Sequence, residues 1–478
     1  MKRVLVLLIL LPTFCFGQWL QVGNQISGTE SGEALGTSTS ISGNGQVFSV
    51  GAQSKDMINA TNVGQVQVFE FTNGTWTPKG SAINGDGAGD FFGESQMLSE
   101  DGNVLAIGAT GLIANPPNAG YVKIYEFNGT NWIQRGTSLV GTAIGDEFGD
   151  RISLSADGTT LAVSANPIAA GYVKVFKWNG SAWNQLGSDL SSGILGDDFG
   201  KFLTLDSIGT TLVVGASYHD SPLVKTGRLI VYEWNGSNWN QKGTDIFGEV
   251  SGDYFGTGIT INSIGTIMAA AGRGVAPEKG YVKIFEWNGS DWAQKGSKII
   301  SYSGLLFGHE NDINSSGDLL ISGCVTGNYA KIHKFQGTDW VLVDSLHLPN
   351  SVTLGNSVAM DKSGSTVVVG DYYAAPGGLT AAGQATVFKD ASMLSIDNLN
   401  QELTLKAFPI PASNLVHIQC EQNVESYKVI STNGQVLANC SGINSSDFSI
   451  DVKDMPDGNY QLQLTIGGKT KTLRLTKN

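Results

Sequence analysis

The residues best placed to do chemistry are four aspartates, Asp90, Asp146, Asp197 and Asp253, each two positions ahead of a Phe-Gly. Recurring carboxylates could hold calcium, a hard cation that gathers several oxygen ligands from one loop. No Asp-x-Asp-x-Asp run supplies such a set here. The other reading is that each Asp caps a turn through its own backbone. Five histidines occur, at 219, 309, 333, 347 and 417. His219-Asp220 and His309-Glu310 set an imidazole beside a carboxylate, but neither has a second His or Cys at metal-ligand spacing. Glycine is abundant, yet no Gly-rich stretch precedes a helical pattern, so a phosphate-binding loop is excluded. Asn73, Asn128, Asn179, Asn235 and Asn288 match the N-glycosylation pattern, but their common place in a turn accounts for them without sugar. The sequence thus predicts no catalytic, cofactor-binding or metal-ligating residue, with calcium the one cofactor left open, and a protein that is not an enzyme.

The elements that would position these residues repeat. Trp19, Trp76, Trp132, Trp183, Trp239, Trp292 and Trp340 mark a period of about 50 residues, the signature of a solenoid, propeller or array. A second landmark recurs as Leu35-Gly36, Phe92-Gly93, Phe148-Gly149, Phe199-Gly200, Phe255-Gly256, Phe307-Gly308 and Leu354-Gly355. One unit reads Gly89 to Gly93, then Glu94 to Ser99, Val104 to Ala109, Gly120 to Phe127 and Trp132 to Gly136. That is four short strands parted by turn signals, rich in Val, Ile and aromatics. No stretch carries a helical apolar period. Seven such units predict an all-β, seven-bladed β-propeller. Asn-Gly pairs such as Asn128-Gly129 supply the positive φ angles of tight third-to-fourth strand hairpins. In six units an aromatic stands five residues before the Trp, as in Phe127/Trp132 and Trp178/Trp183, which predicts a cross-strand pair.

Second-to-third strand loops vary widely, from Gln53–Val63 to Val325–Gly327. Turns alternate between the two faces of the disc, so one face carries tight hairpins. The other carries all the variable loops and the blade-to-blade linkers, and function usually sits on such loops. The units also begin and end out of phase. The last stops at Gly383 to Phe388 with no Trp strand behind it, and Trp19 to Gly23 has no strand before it. This predicts that the Trp19 strand completes the last blade and closes the ring from both termini.

Residues 1–17 read as a signal peptide, with Lys2 and Arg3 ahead of an apolar Val4 to Leu11. The mature chain then starts near Gln18, is exported, and has no transmembrane segment. The formal net charge is −13, and loss of Lys2 and Arg3 makes it −15. From residue 400 onward seven acidic and seven basic residues balance, so the excess lies on the repeats. An acidic surface with no basic stripe argues against nucleic acid and anionic membranes. Cys324, Cys420 and Cys440 are too few for a disulfide framework. Cys324 reads as a buried apolar residue, and Cys420 and Cys440 either pair or stay free. Residues 18–390 form the propeller, 391–403 a polar linker, and 404–478 a small β-sandwich with strands near 415–418, 426–430, 448–450, 460–466 and 470–475.

The motifs Gly-Asp-x-Phe-Gly, Leu-Ser-x-Asp-Gly, Leu-Ala-Val-Gly-Ala and Gly-Tyr-Val-Lys-Ile-Tyr resemble FG-GAP repeats, the blades of integrin-α-type propellers and many bacterial surface proteins. The resemblance spans about residues 19 to 390. It implies ligand binding or adhesion, calcium in some blades, and no particular reaction. The C-terminal segment resembles the type A sorting domain of type IX secretion, found in Bacteroidetes. The matching residues are Phe408-Pro-Ile-Pro-Ala412, Leu415 to Ile418, Asn433-Gly434, Met455 to Tyr460 and the basic stretch Lys469 to Lys477, with Ile410 where the motif has Asn. It implies partnership with the type IX secretion machinery, removal of this domain, and a protein secreted or attached to the outer cell surface. The expectation is a secreted or cell-surface adhesion propeller that binds a protein or glycan on its variable-loop face. The alternatives are a secreted propeller enzyme acting on glycans and a purely structural surface or matrix protein. Ionisable side chains converging on the central channel would favour the enzyme.

Overall fold

A computed structural model describes residues 19–111, 113–114, 118–166, 170–274, 279–391, 406–408, 412–431, 435–466 and 469–477. The signal peptide, nearly all of the 391–403 linker and the turns at Asn433-Gly434 and Gly467-Gly468 lie outside them. The chain divides into two compact units, residues 1–393 and 394–478.

The first unit is a seven-bladed β-propeller of seven antiparallel sheets. Blade 1 has strands Leu35–Ile41, Val47–Ala52, Gln65–Thr72 and Thr75–Pro78. Blades 2 to 6 repeat this order, and each second strand is fully buried or nearly so. Those strands read apolar throughout because a blade is covered by a neighbour on both faces. Blade 7 has Val358–Met360, Thr366–Asp371 and Gln384–Asp390, and its outer strand is Trp19–Gln21, with Trp19 opposite Asp390 and Gln21 opposite Phe388.

Two devices join the blades. The predicted aromatic pairs face each other across the hairpin, Phe127 opposite Trp132 and Trp178 opposite Trp183, with ring centroids 5.4 and 5.5 Å apart. The Trp indole N–H then donates to the blade before it. Trp76, Trp132, Trp183, Trp239, Trp292 and Trp340 reach the carbonyls of Val22, Lys79, Arg135, Leu186, Lys242 and Lys295 at 2.7 to 3.1 Å. Glycine follows each acceptor because the aromatic pair lies against it. A Cβ at Gly136 would come within 2.9 Å of Trp178 and 3.1 Å of Trp183. The seventh joint differs. Blade 6 carries Asp344 where this glycine belongs, and Trp19 is 6% exposed with no partner among the described residues for its indole N–H. Its backbone N–H donates instead to Asp344 Oδ2 at 2.9 Å, beside a cavity of about 360 Å³.

The first-to-second strand turns form an iris around the channel on the tight-hairpin face. Gly43 N–H donates to Glu100 O, Glu100 to Ala156, Ala156 to Ser207, Ser207 to Ser263, Ser315 to Lys362 and Lys362 to Gly43. The Asn262 side chain reaches Ser315 O across the remaining gap. On the opposite face the linkers bond to the variable loops, as Phe92 N–H to Val63 O and Phe148 N–H to Ala119 O.

The second unit is one five-stranded antiparallel sheet around its own core of Val416, Ile418, Val429, Leu462, Leu464 and neighbours. The stretches read as separate strands at 415–418 and 426–430 belong to a single long strand, Leu415–Ser431, paired with Val436–Asp451. Register breaks between Gln419 and Val424, over the polar Gln419 to Asn423 that hides the continuity in the sequence. Cys420 and Cys440 are free. Cys440 faces Tyr427 while Gln419 faces Asp447, so the thiols stand about 20 Å apart along the strands.

Candidate functional site

The four sequence-marked aspartates sit in the linkers on the variable-loop face, and three accept from the backbone N–H groups around them and from a tyrosine. Asp90 Oδ2 accepts from the N–H groups of Asp86 and Gly87 and from the Tyr121 hydroxyl at 2.8 to 3.1 Å. Asp146 does the same with Thr142, Ala143 and Tyr172, and Asp253 with Glu249, Val250 and Tyr281. These hydrogen bonds hold Asp146 below the usual carboxylate range against the burial that would raise it. The turn-capping geometry is the one observed. In blade 4 the Tyr is replaced by Arg228. There Asp197 lies 3.8 Å from His219 and 4.0 Å from Arg228, and burial followed by Arg228 lowers the His219 pKa. Among the described residues no group of three or more His, Cys, Asp or Glu is arranged to hold a metal ion. His333 is buried in blade 6, while the His347 and His417 rings lie within hydrogen-bond distance of the Ser345 and Ser449 hydroxyls.

The place where charged groups do meet is the loop-side mouth of the channel, and it arises from a break in the repeat. Two residues after the Phe/Leu-Gly landmark, blades 1, 2 and 7 carry serine. Ser38 Oγ donates to Gly93 O at 2.7 Å, Ser95 to Gly149 O at 2.6 Å and Ser357 to Gly36 O at 2.9 Å, each latching its blade to the next. Blades 3, 4, 5 and 6 carry Arg151, Phe202, Gly258 and Glu310 at this position. A side chain at 258 is excluded, because its Cβ would lie 2.0 Å from Gly308 O. The other three converge. Arg151 pairs with Glu310 at 3.4 Å across the channel, lies 4.8 Å above the Phe202 ring and donates to Lys201 O. Lys201 in turn pairs with Asp150 at 3.1 Å.

Two spaces flank Arg151. One is the loop-side part of the channel, about 130 Å³ and lined from all seven blades, with Glu94 and Glu310 in its wall. Burial, then the charge of Asp150, raises the Glu94 pKa, and Thr110 donates to it at 2.9 Å. The other is a cleft of about 200 Å³ between blades 3 to 6, lined by Arg151, Lys201, Arg273, Asp198, Tyr218 and His309 among others. Burial raises the Asp198 pKa and lowers that of His309, so the imidazole is neutral at pH 7.

A second feature singles out this rim. The residue just before the landmark Phe or Leu has positive φ in six blades: Ala34, Phe91, Glu147, Asp198, Tyr254 and Leu306, at 49° to 63°. Left-handed backbone costs about 1–2 kcal/mol for a residue with a Cβ. Such strain gathers where a site needs side chains aimed in a fixed direction. Sequence reasoning missed both positions because it followed what recurs. The signal was the reverse: side chains that change from unit to unit between landmarks that do not.

Comparison with known proteins places both units. Residues 406–478 match the family described as the secretion system C-terminal sorting domain. That match does not extend to residues 19–390, whose likeness to FG-GAP repeats rests on their motifs alone. A search of curated proteins returns no match. Among solved structures, hydrazine synthase of Kuenenia stuttgartiensis is similar at 12% identity and a TM-score of 0.51, covering 78% of this chain and 98% of that one. The β-propeller domain of Myceliophteria thermophila Cps50 (Swd1) is similar at 10% identity and a TM-score of 0.50, covering 78% and 99%. At such identities the likeness concerns the fold alone. The chain is therefore a β-propeller followed by a secretion system C-terminal sorting domain, which implies export to the cell surface or beyond.

Proposed function

We propose that type IX secretion exports this protein and that its propeller binds a protein or glycan at the loop-side mouth without transforming it. The observation that carries this reading is the convergence of Arg151, Phe202 and Glu310, from three of the four blades that forgo the serine latch. A repeat gives up a stabilising contact where another demand competes with it. The FG-GAP-like motifs support an adhesive role. Binding screens of the mature protein against glycans and surface proteins test it. A ligand lost on substitution of Arg151 or Glu310 supports the reading, and binding indifferent to both overturns the site.

Catalysis on a glycan is the rival reading, and a specific observation favours it. Ionisable groups do converge on the channel, and Glu94, raised by burial, stands near Asp150. Two neighbouring carboxylates in unlike environments are a common catalytic arrangement. Chromatography of a bound ligand after incubation separates the two: product that vanishes in Glu94→Gln makes the protein an enzyme.

A further inference from the structure

We infer that the cleft between blades 3 to 6 takes an anionic saccharide, a sugar ring bearing a carboxylate or a sulfate. This rests on the binding reading above and narrows it. Residues 19–390 contain only four arginines, Arg135, Arg151, Arg228 and Arg273, and two of them line this one cleft. The propeller carries the whole acidic excess of the chain, so a cation cluster here opposes the prevailing field.

The cations are presented for capture rather than consumed. Arg151 and Lys201 have their carboxylates on Glu310 and Asp150, neither of which lines the cleft. Arg273 is exposed, and among the described residues no carboxylate lies within ion-pair distance of its guanidinium. It is held 4.6 Å above the Tyr254 ring instead. Lys225 is held in the same way, 5.0 Å from Tyr218 and 5.8 Å from Tyr254. Cations parked on aromatic faces keep their charge available to an incoming anion. Among the described lining residues Asp198 is the one carboxylate, set against three cations, Arg151, Lys201 and Arg273.

The aromatic side gives the ligand its second property. Tyr218 and Tyr254 meet edge to face at 4.9 Å, and Tyr218 and Phe202 line the cleft. A free inorganic anion has no use for such a wall. A sugar ring does, because its C–H face packs on aromatics while its hydroxyls reach polar neighbours. The volume of about 200 Å³ lies below the roughly 300–1,000 Å³ of clefts for drug-sized ligands. It fits one ring of a chain, not a whole oligomer.

The test is calorimetric titration of the full mature protein with four probes: oligogalacturonate for carboxylate, a sulfated carrageenan oligosaccharide for sulfate, a neutral cello-oligosaccharide and inorganic sulfate. Either acidic oligosaccharide should bind, and which one identifies the anion. Affinity should fall at least tenfold in the Arg273→Gln, Lys225→Gln variant, drop with added salt, and stay unchanged in Lys295→Gln on the outer rim. Equal binding of the neutral oligosaccharide, equal binding of inorganic sulfate, or affinity unmoved in the double variant overturns the inference. A protein ligand lost on Arg151→Ser, with no saccharide bound, also overturns it while leaving the binding reading intact. No ligand at all on the loop face removes both.

Discussion

The serine latch makes the energetic cost of the site measurable. Arg151 and Glu310 pair at 3.4 Å with side chains 27% and 26% exposed. Replacing Glu310 by serine strands a guanidinium that is three-quarters buried, and Arg151→Ser strands the carboxylate. Breaking a fully buried pair costs about 3–5 kcal/mol, and the partial exposure here reduces that to about 2. Arg151→Ser also forfeits the stacking on Phe202, about 1 kcal/mol. Each new serine can make the bond that Ser38, Ser95 and Ser357 make, which returns about 1 kcal/mol. The expected changes are then a loss of about 1 for Glu310→Ser, a loss of about 2 for Arg151→Ser, and a gain of about 1 kcal/mol for the double variant. The coupling of about 4 kcal/mol is twice the cost of one stranded charge. Urea unfolding followed by tryptophan fluorescence reads this cleanly, because all ten Trp residues lie between 19 and 340 and none in the sorting domain. In temperature the shifts are small, about 1–3 °C, since unfolding entropy scales with chain length. Singles that sum to the double within about 0.5 kcal/mol, or a double variant less stable than either single, would refute the argument. The same double variant should lose ligand binding, which separates stability from function.

Three further outcomes are expected. Trp132→Phe should destabilise the propeller by about 1–3 kcal/mol more than Trp19→Phe, because only Trp132 leaves a buried carbonyl, that of Lys79, without its donor; denaturant midpoints compare the two. Burial pushes the Asp312 pKa up to about 6 in the channel wall, so the folded state holds a proton that the unfolded chain releases near 4. Its contribution is present below pH 4 and is lost as pH rises through 6. Asp312→Asn should therefore add up to about 3 kcal/mol at pH 8 and almost nothing at pH 4, read from urea midpoints at both. Deleting residues 18–24 removes the outer strand of blade 7, and hydrogen exchange should show faster opening in Gln384–Asp390 than in Gln65–Thr72.

The repeat made most of the propeller legible. Trp132 and Phe127, five residues apart with Asn-Gly between them, specify a hairpin and its facing side chains locally. The out-of-phase Trp19 points to a ring closed from both ends, and the pairing of Trp19 with Asp390 is where that closure occurs. The sorting domain was legible for the opposite reason, a fixed order of motifs read without any fold. Its long strand was not, because Gln419 to Asn423 carries no apolar alternation.

The sequence by itself determined the blades, since strand period, turn residues and the Trp and Phe-Gly landmarks act over a few residues. Only the tertiary structure decided which side chains share a space. Arg151 and Glu310 are 159 positions apart in the chain and meet because the ring curves until blades 3 and 6 face one channel. Whether a serine position becomes a latch or a charge pair depends on that curvature, which no single repeat encodes. The same holds for Trp19: its spacing predicts a strand, but the missing acceptor at its indole is set by Asp344, a residue from the far end of the chain.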